Sequence, residues 1–188
     1  MIIRREAIKH ILDHIKYESI VISTTGMISR EIFSIKDRSS NFYMIGSMGL
    51  LSSLGLGLAL LNQDKHIYII EGDGSSLMSL GTLPLIAYKS PSNLTHIILD
   101  NEAYESTGSQ KSISTKVSIA NIAKACGYIN AIQINDKLSL DRYLEEKNEF
   151  NGPNLITIKT SIENNKNIPR INLSPKDISD RFKQNING

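Results

Sequence analysis

Short apolar, β-branched runs alternate with helix-length segments along this chain, and several runs stop at glycine, aspartate or asparagine. The runs are SIVIST (19–24), NFYMI (41–45), HIYIIE (66–71) and LTHIILD (94–100), with two more at 128–134 and 154–159. Near-continuous apolar runs suit strands covered on both faces, which is the condition of a parallel sheet. Residues 4–17 place Ile8, Ile11, Leu12 and Ile15 on one helical face. A helix capped by Ser29 is expected through residue 35, with Ile32 and Phe33 turned inward. Residues 50–61 are apolar nearly all round, which predicts a buried helix. Further helices are expected over 75–88 (with a kink at Pro84), 117–126 (ended by Gly127) and 136–150. Such alternation specifies an α/β fold: a parallel sheet with helices on both faces. One domain is expected over residues 1–160. Residues 161–188, rich in Asn and Lys, read as a polar C-terminal tail, mobile or docking a partner.

Composition removes several function classes. A net charge of +2 on 21 basic and 19 acidic residues gives no polyelectrolyte signal, so neither nucleic acid nor an anionic membrane is expected as partner. A single cysteine, Cys126, allows no internal disulfide, and the four scattered histidines suggest no zinc site. His10 and His14, four apart, fit a solvated helix face. The apolar stretch at 50–61 is shorter than the ~20 residues that cross a bilayer, and residues 1–6 do not resemble a signal peptide. The expected location is the cytoplasm.

In a parallel sheet, ligands bind at the carboxyl ends of the strands. Three polar clusters fall there: Gly46-Ser47-Met48-Gly49, Gly72-Asp73-Gly74-Ser75 and Asp100-Asn101. The second sits between a strand and a helix. Its glycines let backbone approach a ligand, and free N–H groups at a helix start favour phosphate oxygens. Asp73 offers a hard oxygen to Mg²⁺ or Ca²⁺, and Asn101 a neutral carbonyl oxygen. Gly-Asp-Gly by itself is also an ordinary turn. The combination with an asparagine 28 positions after Asp73, just past the next strand, is more specific.

That combination resembles the thiamine-diphosphate motif. The segments STTGMISREIF (23–33), FYMIGSMG (42–49), EGDGSSLMSLGTL (71–83) and LDNEAYESTGSQ (99–110) together resemble the phosphonopyruvate and sulfopyruvate decarboxylase group. The resemblance implies the diphosphate-binding fold of that superfamily, with thiamine diphosphate and Mg²⁺ as cofactors. It implies Asp73, Asn101 and the backbone carbonyl of Ala103 as metal ligands, and Gly72, Gly74 and Ser75 at the diphosphate. It implies Met48 beneath the cofactor rings, the carbonyl of Gly46 as acceptor from the aminopyrimidine, Ser47 beside it, and Thr25, Gly26 and Tyr104 in reach of the cofactor. Glu105, Ser106, Thr107 and Arg30 are candidates for substrate contact. Read as plain structure, Met48 fills core, Thr25 ends a strand and Arg30 belongs to a solvated helix start. Two departures leave the substrate open. Gly108-Ser109-Gln110-Lys111-Ser112 replaces the Gly-Gly-Gln-Pro-Thr-like stretch of the phosphonopyruvate enzymes, and Tyr104 replaces a histidine.

No catalytic side chain is assigned within this chain. The glutamate that activates the cofactor belongs, in this superfamily, to a pyrimidine-binding domain, for which this sequence has no segment. The expectation is a hetero-oligomer with an α-type subunit carrying that glutamate. The resemblance implies decarboxylation of a small anionic 2-oxo acid. Glu105-Ser106 favours 3-phosphonopyruvate, while division into two chains favours sulfopyruvate. A carboligase of the acetolactate synthase type and a non-catalytic cofactor-binding or scaffold subunit are the alternatives.

Overall fold

The computed structural model describes residues 1–146, 152–161 and 167–187. Its central sheet has the strands β1 (Ile2–Ile3), β2 (Ile20–Ser23), β3 (Asn41–Tyr43), β4 (Ile67–Gly72), β5 (Leu94–Asp100), β8 (Asn130–Ile134) and β9 (Asn154–Ser161). All pair in parallel in the order β3-β2-β4-β5-β9. β8 takes the far edge of β9 along Asn154 to Ile158, and β1 continues that edge at Thr160 and Ser161. Side chains alternate between two cores, as a period of two requires. Val21, Tyr68, Ile70, Ile97 and Ile156 meet the helices α1 (Arg4–His14), α2 (Met27–Lys36) and α7 (Lys137–Glu146). Ile20, Ile22, Ile67, Ile69, Ile98 and Leu155 meet α3 (Leu51–Leu61), α5 (Thr82–Lys89) and α6 (Ile119–Cys126). The expected α/β architecture is the one observed.

Several local expectations are corrected. Gly26, with φ +93°, occupies the cap of α2, so Ser29 lies inside the helix. Its hydroxyl instead donates to the Thr24 carbonyl at 2.5 Å, tying α2 to the end of β2. The helix expected over 75–88 is two helices, α4 (Asp73–Met78) and α5. Pro84 is the third residue of α5, where a helix needs no N–H, so it causes no kink. α3 is buried on one side only: Leu51, Gly55, Leu56 and Ala59 face the sheet, while Leu60 and Leu61 are exposed. Its two glycines differ. A Cβ on Gly55 would lie 2.3 Å from Ile69, whereas one on Gly57 would meet open space.

Residues 101–116 contain a small antiparallel hairpin of β6 (Ala103–Tyr104) and β7 (Gln110–Lys111), with single 3-10 turns at Glu105–Thr107 and Ile113–Thr115. The helix expected over 136–150 is observed as α7 to Glu146; residues 147–150 lie outside the described residues. The polar tail holds a helix, α8 (Pro175–Asn187). Ile178, Phe182 and Ile186 recur at four-residue spacing and pack on the sheet edge at β3, Ile178 in one core and Phe182 in the other. Covering β3 satisfies an edge strand that would otherwise stand open. Among the described residues no helix is long and apolar enough to cross a membrane.

Candidate functional site

β2 leads outward to β3, and β4 leads the other way to β5. The crevice between the carboxyl ends of β2 and β4 is therefore the switch point where ligands bind in open α/β sheets. A cavity of about 210 Å³ lies there. It is lined by Arg4, Thr24, Thr25, Gly26, Met27, Ile28, Met48, Gly72, Asp73, Gly74, Ser75, Leu99, Asn101, Ala103, Tyr104, Glu105 and Ser106. Four stretches far apart in sequence thus meet, together with Arg4 from the chain start.

Each wall has a local cause. After β4 the chain turns into α4, and Gly74 is sandwiched beneath Tyr104 and Met48. A Cβ there would lie 2.5 Å from the Tyr104 ring and 3.3 Å from the Met48 methyl, so only glycine fits. After β5, Asp100 Oδ1 accepts from the Glu102 N–H and Asn101 Oδ1 from the Ala103 N–H, both at 3.0 Å. Glu102 takes φ +60°, and Lys159 holds it at 2.7 Å while also pairing with Asp100 at 2.7 Å. This turn throws the hairpin back over the cavity. Thr25 Oγ1 donates to the Ile45 carbonyl at 3.0 Å and joins the β2 loop to the loop carrying Met48.

Asp73 is 2% exposed. Ser112 donates to its Oδ2, and Ser114 does so at 3.0 Å while also reaching Asp100 Oδ1 at 2.8 Å. Among the described residues no cationic side chain pairs with it. Burial pushes the Asp73 carboxyl above the usual carboxylate range; the Ser112 hydrogen bond opposes this, and the Asp100 charge adds to it. A buried carboxylate lacking a cation, beside an asparagine oxygen, is a donor set suited to a hard divalent ion. No three His, Cys, Asp or Glu side chains converge on an ion among the described residues. Most of the coordination would therefore come from phosphate and water, as Mg²⁺ favours.

The structure gathers Thr25, Gly26, Met48, Gly72, Asp73, Gly74, Ser75, Asn101, Ala103, Tyr104, Glu105 and Ser106 around one cavity. It leaves out Gly46 and Ser47, which are exposed on the Met48 loop, and Thr107, which is exposed and bonded to Gln110. Arg30 is also outside: its guanidinium donates to the carbonyls of Ile168 and Pro169. The Ser75 hydroxyl turns inward, donating to Glu71 Oε2 at 2.5 Å, so its hydrogen is not directed at a ligand. Sequence reasoning missed Arg4, Ser112 and Ser114. Arg4 follows a two-residue strand, too short to show a period, yet it obeys the same strand-end rule as the rest.

Residues 22–158 match the C-terminal TPP binding domain of thiamine pyrophosphate enzymes. Over 186 residues the chain is 41% identical to the sulfopyruvate decarboxylase subunit beta of Methanocaldococcus jannaschii, covering 97% of this chain and 96% of that one. The chain belongs to the sulfopyruvate and phosphonopyruvate decarboxylase family of thiamine pyrophosphate enzymes. Within that family it is also 35% identical to the phosphonopyruvate decarboxylase of Streptomyces hygroscopicus, over 96% of this chain and 45% of that longer protein. The fold is shared more widely. The crystal structure of benzoylformate decarboxylase from Polynucleobacter necessarius superposes with a TM-score of 0.68 at 16% identity, over 84% of this chain and 33% of that one.

Proposed function

We propose that this chain is the diphosphate-binding β subunit of a thiamine-diphosphate-dependent 2-oxo acid decarboxylase, acting with a separate pyrimidine-binding α subunit on 3-sulfopyruvate. The observation that carries the reading is the pairing of Asp73, buried without a cation, with a Gly74 that has no room for a side chain, at the crevice of the sheet. The preference for sulfopyruvate over phosphonopyruvate reverses the expectation from Glu105-Ser106. Its support is likeness: the chain is 41% identical to the sulfopyruvate β subunit of Methanocaldococcus jannaschii and 35% identical to the phosphonopyruvate enzyme of Streptomyces hygroscopicus.

Asp73 and Asn101 would hold Mg²⁺ through side-chain oxygens, with the Ala103 carbonyl beside them. The backbone N–H groups of Gly74 and Ser75 are the donors for the diphosphate. Bound thiamine diphosphate supplies a carbon nucleophile and an electron sink for loss of CO₂. Met48 and Tyr104 lie against Gly74, and Met48 would sit beneath the cofactor rings. Ile45, Met48, Leu50 and Met78 expose apolar surface on and beside the same loops, at 37–62% of their areas. An apolar rim of this kind suits an obligate partner.

Co-purification with the α chain, followed by decarboxylase assays on 3-sulfopyruvate and 3-phosphonopyruvate, tests the proposal. It predicts sulfoacetaldehyde and CO₂ from the pair and neither from a single chain. Full activity of this chain alone would overturn it; a pair active on phosphonopyruvate only would overturn the substrate.

A further inference from the structure

Arg4 enters the cavity from β1, outside every motif the sequence marks. Its side chain is 5% exposed, and among the described residues lining the cavity it is the one cation. Glu31 on α2, equally buried, grips it at two points: Nε to Oε2 at 2.9 Å and Nη2 to Oε1 at 2.7 Å. That planar fork fixes the guanidinium and makes the pair neutral. The remaining Nη1 donates to a second carboxylate, Glu105, on the 3-10 turn of the hairpin, and Nη2 also reaches its other oxygen at 3.4 Å. Glu105 is 22% exposed, whereas Glu31 is sealed in the core. One guanidinium thus carries two carboxylates, an inner one that cannot leave and an outer one with access to water.

We propose that Arg4 receives the anionic 3-substituent of the substrate, and that Glu105 is a displaceable stand-in occupying Nη1 until the substrate arrives. The proposal rests on the reading that the substrate is a 2-oxo acid bearing a sulfonate or phosphonate. With both carboxylates in place the cluster has a net negative charge and repels such an anion. With Glu105 swung out, Arg4 and Glu31 remain neutral, and Nη1 offers a pre-oriented donor to a sulfonate oxygen in a low-dielectric wall. Glu31 is then a positioning residue that sets the direction of Nη1. Ser106, next to Glu105 and lining the same cavity, adds a hydroxyl at the mouth.

The test uses the assembled αβ complex with three forms of this chain: wild type, Glu105→Gln, and Arg4→Met combined with Glu31→Gln so that no buried charge is orphaned. Two quantities are read: the ratio of kcat/KM for 3-sulfopyruvate to that for pyruvate, and the affinity for the unreactive anion 3-sulfopropanoate by calorimetry. Loss of a charge-assisted contact predicts that the double variant lowers both by about tenfold or more. Glu105→Gln removes the competitor and is expected to tighten 3-sulfopropanoate binding several-fold. An unchanged ratio in the double variant, or weaker anion binding in Glu105→Gln, overturns the proposal. If the wild-type pair decarboxylates no oxo acid, the functional reading fails by itself. The calorimetric comparison of the three forms then still decides whether Arg4 and Glu105 compete for an anion.

Discussion

Glu71 Oε1 and His96 Nε2 lie 2.7 Å apart on neighbouring strands, both side chains sealed from water. The other oxygen of Glu71 accepts from the Ser75 hydroxyl, and that hydroxyl in turn accepts from the Gly49 N–H at 3.2 Å and from Thr24 Oγ1 at 3.3 Å. One buried carboxylate therefore braces the ends of β2 and β4 and the loop that carries Met48. Glu71→Ala would orphan the Ser75 hydroxyl and His96 Nε2 together. At about 1–3 kcal/mol for each buried polar group left unpaired, urea denaturation is expected to show a loss of roughly 2–6 kcal/mol. Glu71→Gln, which keeps an acceptor oxygen, should lose less. Equal unfolding midpoints for wild type and Glu71→Ala would contradict the bracing role.

The two glycines of α3 predict opposite signs. Gly55→Ala drives a methyl into Ile69 and Ile22, and overpacking of this kind costs roughly 1–3 kcal/mol. Gly57→Ala meets open space and gains helix propensity of up to about 1 kcal/mol. Thermal unfolding of the two variants side by side checks the pair; a stabilised Gly55→Ala would show that the helix does not sit this close to the sheet.

α8 is held to the body of the protein by a two-point ion pair, Arg181 to Asp37 at 2.7 and 2.8 Å, with Tyr43 also donating to Asp37 at 2.7 Å. Burial would raise the Asp37 pKa, but the bonds from Arg181 and Tyr43 outweigh it and hold the carboxyl below its usual range. A carboxylate depressed in the folded state stabilises fully above its unfolded pKa, near 4, and loses that contribution as pH falls through the lower folded value. Stability measured between about pH 5 and pH 2 should therefore fall more steeply in wild type than in Arg181→Ala. The pair is partly exposed, so the difference is expected to be on the order of 1 kcal/mol. Parallel pH profiles would refute the coupling.

The apolar rim predicts assembly. Met78 and Ile45 are 62% and 61% exposed, so Met78→Asp or Ile45→Asp leaves the core untouched and should change stability by less than about 0.5 kcal/mol. Association with the α chain is expected to weaken by about tenfold or more, since a charge then faces an apolar partner surface. Light scattering with the α chain present reads this directly, and undiminished assembly in both variants would move the interface elsewhere.

The central strands were legible because a parallel strand covered on both faces must be apolar throughout, and runs such as Ile67–Gly72 have few other uses. Their ends were legible for the same reason: Gly72-Asp73-Gly74 and Asp100-Asn101 interrupt those runs abruptly. What escaped had too little periodicity or depended on tertiary contact. β1, β6 and β7 have two residues each and show no alternation. α8 buries only a thin Ile178, Phe182 and Ile186 stripe within a polar sequence. Ser112 and Ser114 gain meaning only by meeting Asp73, 39 and 41 positions away. Arg4 and Glu31 look like ordinary surface charges until the fold brings them, with Glu105, to one wall of the cavity.

The most direct measurement is calorimetric titration of the αβ complex with thiamine diphosphate, with and without Mg²⁺, comparing wild type with Asp73→Ala. Saturable, Mg²⁺-dependent binding in wild type that is lost in Asp73→Ala is the predicted result. Equal binding by the two forms, or none by wild type with its partner present, would contradict the assignment of this chain as the diphosphate-binding half of the enzyme.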